Sequence, residues 1–448
     1  MMQERRWLLE GVERPDADAI DVYRRNGGYD GAWRAFDEID REAVIDEIEA
    51  SGLCGQGGAW RPVGARWRQA TQKTSIRSLI VDITEPEMGR FRDRKLAERL
   101  PHRLIEGALI ASHALGADRV YFCVQADWQR ARSVLSHALD EARAAGWVGR
   151  PLGRSAHAVE IHLHVVPGPL PSRGGDHLLP HLIECGRPEP RATECPSDPP
   201  TLFGASVLVH TAATLGYLPG IISRGADAFR QIGGERYPGT VAVSVSGHVS
   251  RPGLFEVEIG SGSFGDVIDD CAGGLVERDQ GLAVFTGGAP ASSSSDLWSM
   301  PIDPSAWEHP GGGALVGSFG TGALVLCEPT ALPLDLASRW LEWAASLGCG
   351  QCPGCREGAA WLAHYLKRLR RGGAGAVDLD AFEQRLQHLE HSERDGLMIC
   401  GHPTLAAQVT RGLLQIEPDA LAQQAQVAAS ACDADHPLRT PDSIHLRF

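Results

Sequence analysis

Residues 348–358 read GCGQCPGCREG, and no other stretch constrains this chain so tightly. Cys349, Cys352 and Cys355 form a C-x2-C-x2-C run beside a helix end and a helix start. That spacing lets three thiolates converge on one face of a cubic iron–sulfur cluster, whose fourth ligand must come from elsewhere. Zinc is the rival, although zinc sites pair two C-x2-C knuckles or add histidines at helical spacing. Three unligated cysteines in a turn are the bland alternative. Downstream of the run lie Cys400 and Cys432. Cys400 sits in "LMICGHP", at a turn between two amphipathic segments, where a loop is able to fold back onto the triplet, whereas Cys432 sits in a polar tail. Cys400 is the expected fourth ligand. Arg356 and the helix N-terminus behind it are expected to face the anionic cluster.

At 448 residues the chain is long for one hydrophobic core, so two to four domains are expected. A net charge of −14 argues against nucleic acid as the main partner, because phosphate binding needs a basic face. The start, "MMQERRWLLEGVERPD", lacks an apolar stretch long enough for an export signal. No charged residue lies between Asp198 and Arg224, but that segment carries three prolines and a histidine. It is too weak for a membrane span and reads as buried chain or a cofactor-side loop. A cytoplasmic protein is expected, free or as a subunit held peripherally to the inner membrane through a complex. A disulfide framework is not expected there, so Cys54, Cys123, Cys185, Cys195, Cys271, Cys327 and Cys432 read as small buried hydrophobes.

The opening third reads as α/β. "IDREAVIDEIEASG" is a helix capped by Asp40, striped by Val44, Ile45 and Ile48, and ended by Gly52. The glycine-rich "SGLCGQGGAWRPVGARW" follows, then a strand at "SLIVDIT", a long helix at "PHRLIEGALIASHALG", a strand at "RVYFCV", a helix at "QRARSVLSHALDEARAAG" and a strand at "VEIHLHVV". That alternation predicts a parallel, Rossmann-like sheet. Near residue 235 the pattern turns to β-structure, "GTVAVSVSGHVSRPGLFEVEIGS", with one short helix at "FGDVIDDCAGG". It suits a small β-grasp domain. From Pro333 onward amphipathic segments separated by short turns predict a four-helix bundle. The expected divisions are 1–235, 236–330 and 331–448. His157, His162, His164, His177 and His181 make a histidine-rich region, read as surface or satisfied core histidines ahead of a metal site.

These segments, in this order, resemble the NADH-binding flavoprotein subunit of respiratory complex I and the diaphorase subunits of hydrogenases and formate dehydrogenases. "YRRNGGYDGAWRAF", "SGLCGQGGAWRPVGARW", "EPEMGRFRDR", "VSGHVSRPGLFEV", "CGQCPGCREG" and "ICGHP" carry the resemblance. It implies an α/β plus α architecture: a Rossmann-like FMN/NAD domain, a ubiquitin-like β-grasp domain of the SLBB type, and a helical [4Fe–4S] bundle. It implies hydride transfer from NADH to FMN, electrons passed singly to the cluster, a thioredoxin-fold [2Fe–2S] partner subunit and a larger oxidoreductase complex. Gly55, Gly57, Gly58, Gly64, Arg66 and Glu85 are the residues it assigns to FMN and NADH.

The flavin loop departs from the family pattern G-R-G-G-A-G-F-P-T-G-x-K-W. Gln56, Trp60, Arg61, Val63 and Arg66 stand where the family has arginine, glycine, phenylalanine, threonine and lysine. The N-A-D-E stretch is Asp82, Ile83, Thr84 and Glu85; Asp176 is the acid left where the family has two glutamates; an asparagine pair is His210 and Thr211. An indole at position 60 is expected to fill space that a glycine leaves to the cofactor, giving weak flavin binding. Two readings follow: an NADH dehydrogenase-type electron-transfer subunit, or a non-catalytic relay or assembly subunit that keeps only the cluster.

Overall fold

The computed structural model describes residues 2–85, 87, 89–155, 158–168, 170, 175–189, 200–276, 284–286, 289–290, 298–307, 322–326, 333–371, 377–391, 399–416, 419, 421–423 and 425–426. His157, Cys195, Cys327 and Cys432 lie outside them. Two compact units emerge, Met1–Pro329 and Thr330–Phe448.

In the first unit, helix α1 (Arg41–Ser51) begins where the Asp40 carboxylate accepts from the Ala43 N–H at 2.8 Å, and ends at Gly52 with φ +71°. Val44, Ile45 and Ile48 are buried, as their spacing requires. Helix α2 (Val63–Lys73) leads into β1 (Ile76–Ile83), followed by α3 (Arg92–Arg99) and α4 (Pro101–Leu115). Every residue of α4 is buried. Its Glu106 carboxylate is satisfied by the Tyr23 hydroxyl and by the N–H groups of Tyr29 and Ala32, at 2.8 and 3.0 Å. Next come β2 (Arg119–Gln125), α5 (Gln129–Ala144), β3 (Glu160–Val166), α6 (Gly175–Cys185), β4 (Thr201–Leu202), β5 (Ala205–Thr211) and α7 (Ala212–Gly216).

The first sheet has strand order β3-β2-β1-β5-β4. Strands β1, β2, β3 and β5 pair in parallel, and β4 folds back antiparallel on β5. The chain moves outward from β1 to β3 and then returns to the other side of β1. The β1/β5 boundary is therefore a topological switch point, where open α/β sheets leave a crevice at the carboxyl ends of their strands. Asp82 and Thr211 stand level there in register. The charge-free segment of the sequence supplies β4, β5 and α7, and most of it is buried.

The second sheet, β7-β6-β10-β8-β9, contains β6 (Thr240–Gly247), β7 (Gly253–Glu258), β8 (Val284–Thr286), β9 (Ala289–Pro290) and β10 (Ala323–Leu326). The N-terminal segment is tied to it through Glu256. That fully buried carboxylate accepts from the N–H groups of Leu8 and Leu9, at 2.8 and 2.7 Å, and from the Thr240 hydroxyl.

The second unit is helical: α8 (Pro333–Ser346), a π-helical turn at Gly354–Ala359, α9 (Ala360–Arg370), α10 (Val377–His391) and α11 (His402–Ile416). Leu362, Leu366, Leu369, Phe382 and Leu386 are buried, each leucine contributing roughly 1.5–3 kcal/mol by leaving water. Trp340 donates to the Ala406 carbonyl at 3.1 Å, and Arg411 bridges Glu383 and Glu390 at 2.8 Å each. Among the described residues no helix is long and apolar enough to cross a membrane.

Candidate functional site

Cys349 and Cys352 lie in the turn after α8, Cys355 in the π-helical turn that opens α9, and Cys400 in the turn before α11. Cys352 and Cys355 are buried; Cys349 and Cys400 are half-buried. The turn closes where the Arg356 N–H donates to the Cys352 carbonyl at 3.1 Å. Burial, then the neighbouring thiols of Cys352, Cys400 and Cys349, push the Cys355 thiol far above its usual range. The fourth ligand expected from the sequence therefore stands with the triplet. Four thiols crowded together fit a multi-iron core, whose positive charge offsets that of the thiolates. Among the described residues no three His, Cys, Asp or Glu side chains stand close enough to hold one metal ion. Arg356 departs from expectation: its side chain is exposed and pairs with Glu357 at 3.1 Å.

In the first unit the glycine turn lies against the switch point. Gly55 N–H donates to the Arg61 carbonyl, Gln56 N–H to the Thr214 hydroxyl, and Arg92 to the Gln56 carbonyl, at 2.9, 2.9 and 2.8 Å. A Cβ on Gly57 would come within 3.3 Å of the Thr211 methyl, so the open backbone there faces the end of β5. Gly64 is different. A Cβ on it would meet the Glu49 backbone at 2.4 Å, so this glycine serves the contact of α2 with α1.

Trp60, standing where the family has a glycine, has a left-handed backbone at φ +48°, a region bulky residues rarely adopt. Its indole does not fill the turn. It is buried with the core of the second sheet, edge-on to Tyr237 at 6.2 Å between ring centroids.

Charge is concentrated behind the turn. Asp93 accepts from the Ala213 N–H at 2.7 Å and from the guanidinium groups of Arg90 and Arg92. Burial would raise its carboxyl, but Arg92 and Arg90 hold it below the usual range. Glu85 accepts from the Asp93 N–H at 2.6 Å, capping α3. Burial and the Asp93 charge push it up to about 8, and burial raises Asp82 to about 6. His210 accepts from Trp67 Nε1 at 2.8 Å and is kept neutral by burial and by Arg66. Two buried oxygens, the acceptor Gln56 Oε1 and the protonated Glu85 Oε2, have no hydrogen-bond partner. A flavin brings both ring N–H or ribityl O–H donors and ring carbonyl acceptors, so these residues fit one.

The Glu85 shift has a measurable consequence. With the folded-state pKa above the ordinary 4.5, folding favours the neutral carboxyl, so its contribution is full below that value and is lost as pH rises through about 8. Glu85→Gln is expected to be as stable as the parent at about pH 5 and more stable at about pH 9, by on the order of 1–4 kcal/mol, read as a higher melting temperature there. Equal melting curves at both pH values would contradict it.

Comparison with known proteins matches these regions. The Nuo51 FMN-binding domain matches residues 48–217, and the NADH-ubiquinone oxidoreductase-F iron–sulfur binding region matches residues 335–423. The F subunit of NADH-quinone oxidoreductase from Aquifex aeolicus is 30% identical over 412 residues, covering 92% of each chain. The chain belongs to the family of NADH-quinone oxidoreductase F subunits. The Escherichia coli member of that family is 30% identical over 400 residues, covering 88% of this chain and 87% of its own. The fold is similar to an NAD+-reducing [NiFe]-hydrogenase chain, with TM-score 0.76 and 23% identity over 95% of this chain and 68% of that one. This is an electron-transfer subunit of the NADH-oxidising type, with an FMN-binding domain and a [4Fe–4S] region. The reading of a relay that has lost its flavin is not favoured.

Asp93, Arg90 and Arg92, which set the charge behind the turn, lie in a segment that carries the family resemblance but were given no role there. The available signal is a run of acid and arginines after a strand, "EPEMGRFRDR".

Proposed function

We propose that the chain takes electrons from NADH at the β1/β5 switch point and delivers them to a cluster ligated by Cys349, Cys352, Cys355 and Cys400. FMN, when bound, would supply a hydride acceptor and a [4Fe–4S] cluster a one-electron acceptor, the pairing that converts two-electron into one-electron traffic. Gly55, Gly57 and Gly58 let the backbone lie close to the flavin, Arg66 holds its phosphate, Gln56 offers an acceptor to its N–H or O–H groups, and the neutral Glu85 carboxyl offers it a donor. Glu85, neutral below about pH 8, places no charge beside the ring there. Gly64 serves the scaffold. The observation that carries this reading is the joining of Cys400 to the triplet in a chain that also keeps the glycine turn at its switch point.

In this proposal residues 1–235 form a Rossmann-like FMN/NADH domain, 236–330 a β-grasp domain and 331–448 a four-helix iron–sulfur bundle. The electrons leave to a thioredoxin-fold [2Fe–2S] subunit within a larger cytoplasmic oxidoreductase, peripheral to the inner membrane. Anaerobically purified chain, supplied with FMN, is expected to hold about four irons and to lose its flavin colour on adding NADH. Iron without any NADH-dependent bleaching would leave only a cluster carrier; stoichiometric zinc would refute the cluster.

A further inference from the structure

Arg66 and Asp176 reach one another from different elements. Arg66 lies in the first turn of α2, directly after the glycine turn, and Asp176 lies in the first turn of α6. Arg66 Nη1 donates to the Val209 carbonyl on β5 at 3.1 Å, and Nη2 donates to Asp176 Oδ2 at 3.0 Å. The first bond pins the guanidinium beside the end of β5. The second spends its outward donor on a carboxylate of the chain itself.

A guanidinium presents the same donors to a carboxylate as to a phosphate. Here it stands at the start of an eleven-residue helix that follows a glycine turn, the arrangement that suits a phosphate. Resting on the flavin reading above, we propose that Asp176 is an internal competitor for the phosphate of the flavin nucleotide: it holds Arg66 when the cofactor is absent and yields it on binding. The Asp176 side chain is 47% exposed and that of Arg66 27%, so water screens the pair and releasing it costs little. A phosphate carries nearly two charges against one for a carboxylate, and so wins the exchange. Asp176 then tunes how tightly the chain holds its cofactor.

The test uses the full chain stripped of flavin, titrated with FMN and with riboflavin, which lacks the phosphate. Asp176→Asn is expected to tighten FMN about threefold, the scale of a half-exposed ion pair, and to leave riboflavin unchanged. The gain should shrink in high salt and vanish in the Arg66→Met background. Asp176→Glu should keep the parent affinity. Weaker FMN binding by Asp176→Asn would show that Asp176 props Arg66 for the cofactor, and equal tightening of both flavins would show a merely opened pocket; each overturns the proposal. FMN binding that ignores Asp176 sinks this inference and leaves the proposed function standing. No FMN binding by any form sinks both.

Discussion

Replacing Cys400 by serine is expected to leave less than about half of the iron bound after anaerobic purification, with Cys185→Ser unaffected. Cys349, Cys352 and Cys355 supply three corners from one turn, and the fourth corner depends on a turn 45 residues further along. That turn is anchored on its C-terminal side. His402 Nε2 donates to the Ala344 carbonyl at 2.8 Å, and Thr404 Oγ1 to the Leu389 carbonyl at 3.1 Å. Position 400 is thereby held beside Cys355 whether or not it carries a thiol. A serine there keeps the packing, so helix content should not change, but its oxygen is a poor substitute for a soft thiolate. Cys185 is exposed on α6, in the other unit, and controls for general loss of a cysteine. Iron retained in Cys400→Ser, or lost equally in both, would refute the ligand set.

Much of the scaffold is legible in the sequence because its signals are local. Asp40 and Gly52 bound α1 as expected, since a carboxylate capping an N–H and a glycine at positive φ act within a few residues. The stripe Leu362, Tyr365, Leu366 and Leu369 lies buried on α9 for the same reason. The cysteine quartet is legible because ligand chemistry restricts spacing. What escapes depends on where side chains go after the chain has folded. From its place in a loop, Trp60 reads as an obstacle to the cofactor. The indole instead finds an apolar partner in a sheet that begins about 180 residues later, offsetting the cost of its left-handed backbone. Arg356 reads as facing the cluster because it follows Cys355, yet it is exposed and satisfied by Glu357. The buried Glu256 that grips Leu8 and Leu9 has no sequence signal at all, because its partners are backbone groups nearly 250 residues away.

Two glycines of one loop are expected to fail in different ways. Gly64→Ala should destabilise the first unit by roughly 3 kcal/mol, since the new Cβ would sit 2.4 Å from the Glu49 backbone and α1 and α2 would have to separate. No flexible side-chain tip is available to move aside, because the atoms met are backbone. The melting temperature falls, and flavin is lost as a consequence of the displaced helix. Gly57→Ala meets only the Thr211 methyl at 3.3 Å, which a small shift relieves. Its stability in the absence of flavin should stay within about 0.5 kcal/mol of the parent, so its melting temperature barely moves. On the proposed function, in which the Gly57 backbone meets the cofactor, FMN binding should weaken about tenfold or more. Melting curves of the flavin-free proteins, set beside FMN titrations, separate the two. If Gly64→Ala kept its stability while losing FMN, Gly64 would belong to the cofactor site after all. If Gly57→Ala bound FMN normally, the turn would not be where the flavin lies.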